Sequence, residues 1–276
     1  MGDLSVTALY TSQVWAWGGL SCAELLATDD AKRVFDVTNA ALGIARWARP
    51  DMPELRYALL HRHAMIDHLL AETSGSVTEI AAGLSRRGAA NCGERAYTEV
   101  DLPPVIVKKR ELLARTAAGR AVLEKLVLVA GDVTAIASPA VPGEAAPPNG
   151  GAESIELPAA DVVIAEGLLM YLDGEQRRRL FAKITAPRFI FDLVPSFEEP
   201  APGRVGKLLE AAMKRFTGGR TFERDARTRE QIVDELHAAG FSDVDVVSSA
   251  TSRWPLPHAD HATTMVVFSA SRATRA

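Results

Sequence analysis

The chain has little cysteine: Cys22 and Cys92 stand far apart, with no C-x-x-C pair. A disulfide framework or a structural zinc is therefore not expected, no metal is called for, and a reducing cytoplasm suits this usage best. No apolar run reaches the roughly 18 residues a membrane-crossing helix needs, and no charged-then-apolar leader opens the sequence, so no membrane role is expected. Neither sign of charge dominates. The 31 Lys and Arg against 35 Asp and Glu leave a formal −4, which speaks against nucleic acid held by bulk electrostatics. The full dinucleotide fingerprint G-x-G-x-x-G is missing as well. What remains is a 276-residue chain long enough for a substantial core, either one large α/β domain or a domain with a cap.

The first seventy or so residues read as helices. Residues 5–26 and 29–49 place apolar side chains at three- and four-residue spacings, with Asp29 or Asp30 available as an N-cap for the second. Trp15 and Trp17 stand two apart and cannot both face one way on a helix: one lines a pocket and the other packs on the core, or both are core or interface aromatics. Pro50 and Pro53 break the pattern, and a third helix over 55–72 carries His61, Arg62, His63, Asp67 and His68.

From residue 77 the texture changes to alternating strands and helices. Strands are predicted at 77–81, 96–100, 125–130, 161–165 and 188–193, the central ones near-continuous apolar runs suited to a parallel sheet covered on both faces. A helix starts at Pro103 or Pro104, and others cover 174–184 and 228–239, the last closed by Gly240. Residues 138–151, rich in proline and glycine, read as a solvent loop. Residues 200–224 contain an amphipathic piece at 206–216, either an inserted helix over the site or a surface excursion. Strands at 244–248 and 263–270 follow each other without a helix, so the sheet ends in an antiparallel hairpin.

The stretch 77–101 organises the rest. A strand, the small-residue corner Ala81-Ala82-Gly83, a short crossover and a second strand tipped by Asp101 form the first half of a doubly wound nucleotide-binding domain. The corner lets backbone approach a ligand. A carboxylate at the second tip can accept a hydrogen bond from each of two ribose hydroxyls. Asp101 can equally cap the helix that begins at Pro103.

With these elements in order, the chain resembles the leucine carboxyl methyltransferase family, in its bacterial O-methyltransferase-like branch. The similar pieces are R-x-x-x-x-D at Arg62–Asp67, EIAAGLS, YTEVDLP with a following Lys108-Lys109, GDV and AEGLLMYL. The resemblance implies a class I S-adenosylmethionine (SAM) methyltransferase: a Rossmann-like α/β fold of seven mostly parallel strands with a reversed last strand. It implies an N-terminal helical cap over 1–73 and a SAM-binding core over 74–276, with the insert near 200–224. It implies that Arg62 pairs with the methionine carboxylate of SAM. Ala81, Ala82 and Gly83 would admit the ligand, Asp101 hold the ribose, Asp132 and Val133 border the adenine, and Glu166 bind near the methionine amino group. The corner departs from the family's L-G-x-G form, since Ile80-Ala81-Ala82-Gly83 has alanine at its first small position.

The activity so implied is methyl transfer to a carboxylate or hydroxyl of a small molecule in specialised metabolism, with S-adenosylhomocysteine (SAH) as product. The alternatives are a peptide or protein C-terminal carboxyl methyltransferase and a non-catalytic SAM-binding protein. A nicotinamide oxidoreductase is disfavoured by the missing glycines and the terminal hairpin. A carboxylate acceptor needs no base, whereas a hydroxyl benefits from one. His61, His63, Tyr171, Asp192, His258 and His261 are the candidates, none singled out by a motif. Tyr171 is the best pocket-lining residue. His258 and His261 lack a third metal ligand, and His61 and His63, on the helix of Arg62, read either as pocket-facing or, one or both and more often, as solvent residues.

Overall fold

The computed structural model describes residues 6–48, 54–133, 156–195 and 226–273. Seven strands form one sheet: β1 Val77–Ile80, β2 Tyr97–Asp101, β3 Val127–Ala130, β4 Val162–Ala165, β5 Arg188–Asp192, β6 Asp243–Ser248 and β7 Val266–Ser271. Their spatial order is β3-β2-β1-β4-β5-β7-β6, with β7 antiparallel to both neighbours and the pairs from β3 to β5 parallel. This is the expected class I methyltransferase sheet. Its central strands β1 and β4 are buried at every residue, while the edge strand β3 leaves Val127 52% exposed, as covered parallel strands and an open edge require.

Among the described residues the α-helices are α1 Val6–Trp17, α2 Asp29–Ala48, α3 Leu55–Ala71, α4 Arg87–Asn91, α5 Pro103–Ala114, α6 Ala117–Leu123, α7 Gly174–Lys183 and α8 Arg229–Ala238. One face of the sheet is sealed by α3, whose Met65, Ile66, Leu69 and Leu70 pack with Val77, Ile164, Ile190 and Val267. The other face packs Ile80, Phe189, Phe191 and Phe268 against Leu180 and Phe181 of α7 and Ile232 and Leu236 of α8. A smaller cluster of Tyr10, Val14, Trp15, Phe35 and Leu60 joins α1 and α2 to the outer side of α3. On its other side α2 turns Trp47, 90% exposed, to solvent.

Local chemistry explains where the helices differ from expectation. The helix predicted over 5–26 stops at Trp17, because Gly19 takes φ +68° and the Leu20 N–H reaches back to the Trp15 carbonyl, a left-handed glycine closure. A separate 3-10 turn, Ala23–Leu26, follows. The cap of α2 is Thr28, not an aspartate: its Oγ1 accepts the Ala31 N–H at 3.0 Å, and Asp29 and Asp30 lie in the first turn, where their charge suits the helix dipole. Gly240, at φ +91°, closes α8 as expected. The segments expected at 138–151 and 200–224 lie outside the described residues.

Candidate active site

Strand register alone assembles the acids. Ile80 of β1 pairs with Val100 of β2 and with Ala165 of β4, and Ala165 pairs with Phe191 of β5. The next residue along each strand therefore falls in one row across the carboxyl edge of the sheet: Asp101, Ala81, Glu166 and Asp192. Ligands bind at this edge in open α/β sheets. Three carboxylates in one row is a costly arrangement unless each is bonded.

Asp101 is bonded to the glycine corner. Its Oδ2 accepts the Gly83 N–H at 2.6 Å and its Oδ1 accepts the Leu102 N–H at 2.7 Å. Leu102, not Asp101, is the N-cap residue of α5 and makes no side-chain cap bond, so the anticipated capping role of Asp101 is not found. A carboxylate oxygen can accept more than one hydrogen bond. Both Ala81 and Gly83 hold left-handed backbone, at φ +52° and +53°. That is ordinary for glycine and strained for alanine. Ala82 is buried, its N–H on the Val100 carbonyl. At the next tip, the Gly131 N–H reaches the Asp101 carbonyl at 2.9 Å and carries the following Asp132 and buried Val133 to the outer side of Asp101.

Glu166 is the centre of a buried ionic network. Its Oε1 accepts from Arg62 Nε at 3.0 Å, and its Oε2 lies 2.8 Å from both His63 Nδ1 and Arg87 Nη2. Arg62 Nη1 also donates to Asp192 at 3.2 Å, and the other Asp192 oxygen accepts the Gly167 N–H at 2.5 Å. Arg87 spans further, to Asp67 at 2.7 Å and to Glu79 at 2.6 Å, where Tyr97 donates to the second Glu79 oxygen at 2.7 Å. Arg86 pairs with Asp67 and donates from Nε to His63 Nε2 at 3.2 Å.

Burial opposes every charge in this network, and the partners decide the outcome. Glu166 resists burial because the His63 N–H, Arg62 and Arg87 hold its carboxyl well below the ordinary range. Arg62 and Arg87 are likewise held in the charged form, by Asp192 and Glu166 and by Glu79 and Glu166 respectively. His63 goes the other way: burial and the Arg87 charge push it down to about 4. It is a neutral imidazole between a carboxylate and two guanidinium groups. Burial raises Asp192, which Arg62 only partly offsets.

The other candidates separate cleanly. Both histidines expected in solvent are buried, because α3 lies flat on the sheet. His61 bonds Thr263 Oγ1 at 2.9 Å and the Pro257 carbonyl at 2.7 Å, pinning the segment before β7 to α3. His258 stacks on Trp17 and His261 on Tyr57. Among the described residues no group of three or more His, Cys, Asp or Glu could hold a metal. Trp15 lies against the His63 ring with centroids 4.5 Å apart, whereas Trp17 packs on Phe35 and Tyr57. Tyr171 is near enough to Arg62 to favour its charge. Asp67, Glu79, Arg86 and Arg87 were not assigned site roles from sequence. Asp192 was weighed only as a base, although it ends a buried apolar strand just as Glu166 does.

A polar cleft of about 460 Å³, lined by Ser21, Asp67, Arg86, Asn91 and Arg95 among others, touches the network from outside and includes none of Gly83, Asp101 or Glu166. The residues at the carboxyl edge itself suit SAM. Among the described residues a Cβ added at Gly83 would meet only the Ala8 Cβ of α1, at 4.0 Å. Arg62 Nη2 makes no hydrogen bond to the described residues and lies over Gly167, where a Cβ would approach it to 3.4 Å. Around Glu166 three guanidinium groups meet four carboxylates, those of Asp67, Glu79, Glu166 and Asp192. With His63 neutral, that excess of one negative charge complements a ligand bearing a sulfonium and an ammonium against one carboxylate.

Three solved structures are similar to this one. The structure of the pyocyanin biosynthetic protein PhzM aligns with 97% of this chain and 69% of its own, at 18% identity and a TM-score of 0.50. The glycopeptide N-methyltransferase MtfA complexed with sinefungin aligns over 78% of this chain and 87% of its own, at 20% identity and a TM-score of 0.47. Human N-acetylserotonin methyltransferase in complex with SAM covers 72% of this chain and 48% of its own, at 14% identity and a TM-score of 0.46. No curated protein matches. The family profile described as leucine carboxyl methyltransferase matches residues 21–185, more than half of the chain. The chain therefore belongs to the leucine carboxyl methyltransferase family, on the fold of the SAM-dependent methyltransferases.

Proposed function

We propose that this enzyme methylates an oxygen of a small molecule, a carboxylate or a hydroxyl, and that the row Asp101–Ala81–Glu166–Asp192 with Arg62 is its donor site. The row is the observation that carries the reading. Asp101 holds the ribose hydroxyls, the 81–83 corner gives the nucleoside a close approach, and Asp132 and Val133 border the adenine. Arg62 takes the methionine carboxylate through Nη2, and Glu166 takes the ammonium through its remaining lone pairs. Residues 1–73 serve as the cap, with α3 as its anchor on the sheet, and 74–276 as the core.

Bound SAM supplies a methyl group on a positively charged sulfur. The chain's own task is to hold the acceptor oxygen in line with that bond and keep water away, where orientation accounts for much of the rate. Tyr171, beside Arg62, lines the acceptor side. The two histidines nearest the row are already committed, His61 to Thr263 and Pro257 and His63 to Glu166 and Arg86. This supports an acceptor that arrives ionised, and a carboxylate with an ordinary pKa of about 4 is ionised at neutral pH.

Calorimetric titration with SAH, with NAD as control, tests the donor site. SAH should bind and NAD should not. Asp101→Ala should weaken SAH at least about tenfold, the worth of a charge-assisted hydrogen bond pair, while the chain stays folded with a melting temperature lowered by the loss of its bonds to the Gly83 and Leu102 N–H groups. Unaltered affinity would remove Asp101 from the site. A panel of carboxylic acids and phenols, scored by SAH release from SAM, then tests the acceptor. Turnover of phenols alone would overturn the carboxylate preference.

A further inference from the structure

We infer that His63 is a positioning residue for the donor site: it holds the Glu166 carboxylate in place for the methionine ammonium, in a tautomer fixed by Arg86. This rests on the donor-site reading above. The geometry sets the proton. Arg86 Nε can only donate, and it points at His63 Nε2 from 3.2 Å, so that nitrogen accepts. The proton of the neutral ring must then sit on Nδ1, which lies 2.8 Å from Glu166 Oε2. Arg87 Nη2 contacts both this Nδ1, at 2.9 Å, and Glu166 Oε2, at 2.8 Å; with Nδ1 protonated its hydrogen goes to the carboxylate, whereas a proton on Nε2 would face the Arg86 donor with its nearest carboxylate, Asp67, 3.9 Å away. Trp15 packs on the ring and holds its plane, and no part of the ring reaches the surface.

The arrangement leaves Glu166 free to meet a ligand. Arg62 and Arg87 supply its charge balance, and the His63 N–H fixes its orientation without adding a further cation. A protonated imidazole would compete with the ligand's ammonium for the same carboxylate. The neutral ring does not. A carboxylate so fixed need not reorganise when an ammonium arrives, which is where positioning contributes to affinity. Signal for this in the sequence is slight: His63 is adjacent to Arg62, but its partners come from β4 and from the start of α4.

The test uses two ligands, SAH and 5′-methylthioadenosine, the second lacking the amino-acid arm. His63→Leu keeps apolar volume and removes the donor; His63→Asn returns an N–H near the Nδ1 position. His63→Leu should weaken SAH about tenfold or more, the range for a hydrogen bond to a charged group, and leave methylthioadenosine within about twofold. His63→Asn should recover most of the SAH affinity. Unchanged SAH binding in His63→Leu would overturn the inference. Equal loss of both ligands would also overturn it, by assigning His63 a general structural role. Asp101→Ala separates the underlying reading, since it should weaken both ligands, and its failure to do so would fall on the donor site and not on His63.

Discussion

At the residue scale, what was legible in the sequence was whatever obeys a local rule. An acid that ends a buried apolar strand marks the ligand edge of a parallel sheet, and Asp101 was read that way, while Glu166 was placed through the family resemblance. Asp192 obeys the same rule and was passed over because no motif surrounds it. Arg62 was placed through family resemblance, since a helix arginine by itself reads as solvent-exposed. The rest of its network was illegible for a physical reason: His63, Arg86 and Arg87 become neighbours of Glu166 only when α3 and α4 meet over β4, a contact more than 70 residues distant in sequence. The glycine corner can be tested at this scale. Ala81 pays for left-handed backbone at φ +52° that glycine adopts freely. Ala81→Gly should therefore raise stability by about 1 kcal/mol, after the larger unfolded-state entropy of glycine is counted, and the melting temperature by roughly 2–4 °C. Thermal unfolding checks it, and a lower melting temperature would show that the corner is not strained.

At the element scale, the strands were easier than the helix ends. β1, β4 and β5 are short apolar runs whose burial on both faces leaves little else for them to be, and the loss of a helix between β6 and β7 gave the reversed hairpin. The ends of α1 and α2 depend on single hydrogen bonds, and periodicity does not see these. Gly18-Gly19 stops α1 well short of residue 26, and Thr28 displaces two aspartates as the cap of α2. Where the cap is a full box, its worth can be measured. Asp173 accepts the Glu175 and Gln176 N–H groups at 2.9 and 2.8 Å, and the Gln176 side chain returns a bond to the Asp173 N–H at 2.9 Å. Asp173→Ala should lower stability by about 1 kcal/mol in denaturant titration, without changing SAH affinity. A change in affinity would mean that α7, whose Leu180 and Phe181 fill one sheet face, also sets the tip of β4.

At the scale of the whole molecule, buried charge makes stability depend on pH in two opposed ways. His63 titrates near 4 when folded against an ordinary 6.5, so between those values the unfolded chain takes up a proton that the folded chain refuses. Stability from this group is full above pH 6.5 and falls as pH drops toward 4, by about 3 kcal/mol at most. The groups that face it are Glu166, Asp67, Arg86 and Arg87. Glu99, buried against Lys109, is pushed up by burial to about 7 from 4.5. It contributes stability below pH 4.5 that is lost as pH rises through 7. Between pH 4.5 and 6.5 the His63 gain and the Glu99 loss offset each other, so His63→Leu should lose about 2 kcal/mol of unfolding free energy relative to the wild type as pH rises across that window; an unchanged pH dependence would exclude a neutral buried His63.

The row of acids has one further consequence. Asp101 and Glu166 stand on strands either side of β1, so their separation is two strand spacings, roughly 10 Å. That distance belongs to hydrogen-bonded backbone and not to side-chain rotamers. In the proposed donor site the sheet would thus work as a fixed gauge, with one jaw for the sugar and one for the amino-acid end, and a donor whose arm were a methylene longer or shorter would fill either jaw but not both.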